Sequence, residues 1–258
     1  MRLGPVLRSF TYDPWPLLLA TAGLGLALSA YNEVNTEGPA FCVAVNGLSI
    51  ITSWPAALQA ELALNPLHRI LAGWALMLLA MMPPLLAMPL MHVWRSSLPS
   101  RRIRASVGFL LGYSALWMAV GPILIALALL LQIAVVKNAL VVALLIAMLW
   151  SASPWHHAAL NRGHQRRRIG LFGWTADRDC LILGMTHGVF CIVSCWAWML
   201  VPLVSGAWHI PMMLFAGVIL LAERLTPPGP PRWGWHPFFS PIYLYTLLTK
   251  RNAERPHG

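Results

Sequence analysis

Six apolar stretches alternate with polar connections along this 258-residue chain. A helix of about 20 apolar residues crosses a hydrocarbon core about 30 Å thick. On that criterion the pattern predicts spans over 17–31, 67–94, 105–133, 136–151, 179–205 and 208–222. The expected fold class is all-α: a polytopic membrane helical bundle of about six transmembrane helices. Residues 1–225 are expected to form the transmembrane domain, and 226–258 a cytoplasmic Pro/aromatic interfacial tail. The first run is short, and an apolar run behind Arg2 and Arg8 also describes a signal peptide; a retained span is the expectation here.

Within the second span, Pro83, Pro84 and Pro89 each remove a backbone donor. They are expected to kink or open the helix, with the freed carbonyls turned toward other helices. Gly108, Gly112 and Gly121 in the third span suit close helix contact. Residues 41–64 are too mixed to span and are expected to lie along the outer interface. Residues 153–178 read as the main hydrophilic loop.

Composition sharpens the picture. The chain is 58% hydrophobic and 10% charged, against about 25% charged in soluble domains. Its mean hydropathy of +0.66 also excludes an ordinary water-soluble fold. A formal net charge of +10 would suggest nucleic acid in a soluble protein. Here no soluble basic fold is left to bind it, and no nucleic-acid partner is expected. The charge reads as topology instead. Of the eighteen Lys and Arg, all but Arg69 and Lys137 fall in the head, the second loop, the main loop and the tail. That asymmetry predicts both termini in the cytoplasm. The four cysteines, Cys42, Cys180, Cys191 and Cys195, do not form a secreted disulfide framework.

The fifth span carries the candidate chemistry. His187, Cys191, Cys195 and Met199 follow one another at intervals of four. Four residues advance a helix by about 6 Å and overshoot a turn by about 40°, so the side chains form a slowly winding ladder. Imidazole, thiols and a thioether are donors that suit Cu(I). His187 and Cys195 lie about 12 Å apart in helix rise, too far to share one ion with Cys191 on an unbroken helix. Either one adjacent pair binds an ion with help from another helix, or ions are held at successive heights. Met82 and Met212, with Met81, are candidate third ligands. The plainer alternative is packing, because buried Cys and Met also behave as hydrophobic fillers. An ionisable His187 inside lipid weighs toward function.

Other polar residues have ordinary readings. His156, His157 and His164 are expected at the surface of the main loop, with a metal-entry site the alternative. Arg166, Arg167 and Arg168 suit lipid headgroups, and Trp174, Trp233 and Trp235 the interface. His68, His92 and His209 lie near span ends without a pairing that suggests haem. Glu223 and Arg224 are expected to form an ion pair at a helix end.

Several blocks together resemble DUF2182, predicted metal-binding integral membrane proteins of bacteria. They are Trp74–Pro84 with Pro89, Gly112–Trp117, Ser153-Pro154, His187–Met199, Met212, and Glu223-Arg224. The resemblance runs from His68 to Arg224. It implies a helical inner-membrane protein with a metal site, and some members carry the label copper chaperone. Ala159 and Gly163 stand where the family often has loop cysteines, and Ser194 where a further cysteine is common.

The function expected is metal binding in the bacterial inner (cytoplasmic) membrane, specifically copper handling by binding or transfer to a membrane cuproprotein. One alternative is a structural or assembly subunit of a larger membrane complex. Another is a membrane oxidoreductase component. No catalytic residue is assigned. No Walker loop, GxGxxG, HExxH or nucleophile elbow stands in a supporting context.

Overall fold

The computed structural model describes residues 15–35, 67–135, 138–163, 170, 173–226, 228–231 and 233–234. Among them all regular structure is helical. The helices are α1 (Trp15–Asn35), α2 (Leu67–Met81), α3 (Ala87–Ser96), α4 (Arg102–Ala134), α5 (Ala139–Ser151), α6 (Pro154–Gly163), α7 (Gly173–Val204) and α8 (His209–Leu225). Four helical segments are long and apolar enough to cross a membrane, and six crossings result if each of two bent pairs counts as one. The expected interfacial helix over 41–64, Cys42, His164, Arg166–Arg168 and most of the tail lie outside the described residues.

The prolines act as their chemistry requires. α2 stops at Met81, a 3₁₀ turn runs over Pro83–Leu86, and α3 departs at 53°. Pro83, Leu85, Leu86 and Ala87 at the break are buried. Irregular backbone is tolerated at membrane depth only where protein covers it. The same break turns Met82 inward, where it is 3% exposed.

α4 and α7 form the spine. Arg101 binds Asp177 at 2.7 Å near the start of both helices, and Gln132 donates to the carbonyl of Leu203 near their ends. Partners therefore climb together and the two helices run parallel, which requires one return crossing between them. Their approach is set by glycine: a Cβ on Gly184 would collide with the carbonyl of Phe109, and one on Gly112 with that of Leu181. Small residues of this kind let helices associate where lipid removes the hydrophobic driving force. α2 packs alongside, with the Trp74 indole donating to the carbonyl of Trp117 at 3.0 Å.

α5 is the return. Ala139, Ala143, Ala147 and Ser151 make a buried stripe at intervals of four, while Val141, Leu145 and Leu149 face outward. Trp150 donates to the carbonyl of Val193, and Trp198 to the Ser151 hydroxyl, each at 2.8 Å. These bonds fasten α5 to α7.

The expectation of one hydrophilic loop over 153–178 is corrected. Ser153 accepts from the amide of His156 and starts α6, which leaves α5 at 67°. Ser at the cap and Pro at the first helical position suit a helix start. α7 begins at Gly173, earlier than the hydropathy pattern implied, because Asp177 is neutralised by Arg101 and Arg104. A polar first turn carries a helix outside the apolar window without ending it.

Candidate metal centre

The whole ladder faces inward. Cys191 and Met199 are fully buried, Cys195 is 1% exposed and His187 7% exposed. The α4–α7 contact, made close by Gly112 and Gly184, brings Tyr113 against this face. The Tyr113 hydroxyl lies 3.2 Å from Cys191 Sγ and donates to Met82 Sδ at 3.1 Å. A phenol has one proton to give. Donation to Met82 leaves it accepting from the Cys191 thiol. Cys191 Sγ and Cys195 Sγ are 3.6 Å apart.

Three sulfurs from two elements thus converge around one phenol. The His187 ring stands beside it, 6.1 Å from the Tyr113 ring and 6.0 Å from Phe109. Met199 lies one turn beyond Cys195, in the core. Met212 is half-buried and packs against the same core, whereas its neighbour Met213 is fully buried. Met81 is buried at the end of α2.

A charged residue, Arg224, closes one side of the cluster through Ser194, a feature that sequence reasoning missed. Ser194 donates to the Cys191 carbonyl at 3.0 Å, approaches Cys195 Sγ at 3.5 Å, and accepts from Arg224 Nη2 at 3.3 Å. Through Ser194 the Arg224 guanidinium sits one hydroxyl away from Cys195 Sγ. Gly163 makes room for it, since a Cβ there would stand 2.6 Å from Arg224 Nη1.

Two expectations change here. Glu223 pairs with His156, not with Arg224: His156 Nε2 and Glu223 Oε2 are 3.3 Å apart, and both side chains are nearly inaccessible. His156 is therefore no surface histidine. α6 carries it inward, because the bend after Ser151 turns that helix against α7 and the end of α8. His157 is half-buried.

The donor chemistry fits a soft cation. Two sulfurs bonded to one ion at about 2.3 Å and a tetrahedral angle stand about 3.8 Å apart, close to the 3.6 Å found. Among the described residues, no three His, Cys, Asp or Glu side chains gather as a metal-binding group. The Met82 thioether, which shares the Tyr113 hydroxyl with Cys191, is the candidate third donor on another element.

Apolar, membrane-length helices around a buried thiol–thioether–phenol cluster define a polytopic helical protein with soft donors at its centre. The chain belongs to the PpoB2 family, described as copper chaperone, whose sequence model matches residues 71–239. That segment contains every residue of the cluster. No curated protein and no solved structure matches the chain.

Proposed function

We propose that this protein binds Cu(I) within the bilayer at Cys191 and Cys195, with Met82 as third donor, and hands it to a membrane cuproprotein. The carrying observation is the burial of two thiols 3.6 Å apart, bridged to a thioether through Tyr113. Soft sulfur donors select Cu(I) over harder cations. Copper is cargo here, not a resident cofactor. On loading, two sulfur–copper bonds form as two S–H bonds break, and both protons leave. Binding thereby overcomes the resistance of buried thiols to ionisation. His187 and Met199, one turn to either side, extend the ladder as stations for entry or exit. Met212 on α8 is a more distant candidate on the same route. The DUF2182 resemblance, the bacterial inner membrane and cytoplasmic termini belong to this reading, supported by the distribution of basic residues.

Elemental analysis of detergent-purified protein tests it. About one copper per chain is expected after Cu(I) loading. Cys191→Ser combined with Cys195→Ser should bring this to background, because ligand loss removes the site. Undiminished copper in the double variant would overturn the assignment.

A further inference from the structure

Arg224 is a buried cation at the end of a membrane-length helix, 9% exposed. Burying an ion is costly unless an opposite charge accompanies it. The nearest acidic residue in sequence, Glu223, points its carboxylate toward His156 instead, 3.3 Å from Nε2. Among the described residues no carboxylate forms an ion pair with Arg224; the described pairs are Arg101–Asp177, Arg104–Asp177 and His156–Glu223. What the guanidinium meets instead is the Ser194 hydroxyl, at 3.3 Å, which in turn lies 3.5 Å from Cys195 Sγ. These groups are neutral until the cysteines ionise.

The charge balance at the cluster then depends on the cargo. Two thiolates carry two negative charges. A monovalent cation leaves one, which Arg224 cancels. A divalent cation cancels both and leaves Arg224 as an unbalanced positive charge in a low-dielectric interior, where electrostatic penalties are large. Softness of the sulfur donors does not separate Cu(I) from Zn(II) or Cd(II), both of which thiolates also bind. Charge does.

We propose that Arg224, positioned by Ser194 and by the space at Gly163, makes the Cys191–Cys195 site selective for a monovalent over a divalent soft cation. This rests on the Cu(I) reading above. Arg224 is a specificity-determining residue that acts through the sulfurs and does not ligate.

The test is metal competition on the full-length protein in detergent, with chelator-buffered Cu(I) against Cd(II). Bound metals are read by elemental analysis and by thiolate-to-metal absorption. Arg224→Gln should raise the bound Cd(II)/Cu(I) ratio at least about tenfold over wild type, as removal of a neighbouring unit charge implies. Arg224→Lys keeps the charge and should stay near wild type. Gly163→Ala pushes on the guanidinium without removing it and should give an intermediate rise; it decides alone if Arg224→Gln does not fold. An unchanged ratio in Arg224→Gln, or in Gly163→Ala where that variant decides, overturns the inference while copper binding still requires the cysteines. A wild-type protein that takes up no Cu(I) removes the underlying reading, and the inference with it.

Discussion

Tyr113 touches two sulfurs from different elements, and that double contact orders the cluster. Its hydroxyl links Cys191 of α7 to Met82 at the break after α2. Tyr113→Phe keeps the ring and removes both contacts. Metal-free protein should lose about 0.6–1.5 kcal/mol, the net worth of one or two such bonds, measured by unfolding in detergent. Cu(I) affinity should fall as well, because Met82 is no longer held. Wild-type stability and affinity together would contradict this role. At this scale the sequence was half legible. Spacing alone put His187, Cys191, Cys195 and Met199 on one side of a helix, and chemistry suggested that side faces inward. It could not select Met82 over Met212, since that choice depends on which way the proline break turns. Nor could it find Tyr113 or Arg224 as neighbours of the sulfurs, because they come from other helices and no local period connects them to α7. His156 looked like a loop residue because its surroundings are basic and polar; its burial follows from a 67° bend that hydropathy does not encode.

At the scale of elements, two devices place the site. One is the proline break, which ends α2 and exposes Met82 to the interior. The other is the glycine contact between α4 and α7, which sets how near Tyr113 comes to Cys191. Gly184→Ala forces a Cβ against the carbonyl of Phe109. It should destabilise the fold by about 1–3 kcal/mol, the usual cost of overpacking, and weaken Cu(I) binding by separating Tyr113 from Cys191. Gly217→Ala in α8 is the control, since nothing lies within 4 Å of the added atom. It should be neutral or gain up to about 1 kcal/mol from helix propensity. Equal melting curves for the two variants would count against the close contact. The kinked second span and the helices around the glycines were readable from composition. The beginnings of α6 and α7 were not. A capping serine, a helix-starting proline and neutralised acids can build helix where the hydropathy pattern shows only a polar connection.

For the whole molecule, the parallel course of α4 and α7 matters most. It needs the chain to return between them, and the bent pair of α5 and α6 lies on that return. That arrangement carries His156 and Gly163 to the end of α8, where Glu223 and Arg224 lie. The apolar outer surface, including Leu111, Ile123, Leu149 and Val218, suits contact with acyl chains. His156, Ser194, Glu223 and Arg224 are all buried on one side of the sulfur cluster. A scaffold needing only to pack would gain nothing from burying Arg224 behind the Ser194–Cys195 contact, whereas a carrier of a singly charged soft ion would.

X-ray absorption at the copper edge of Cu(I)-loaded, detergent-purified protein examines the central assignment most directly. The account predicts a monovalent copper spectrum with two or three sulfurs near 2.3 Å, about the metal–thiolate distance, and loss of that sulfur shell in the double serine variant. A first shell of nitrogen or oxygen, or a sulfur shell that survives replacement of Cys191 and Cys195, would contradict it.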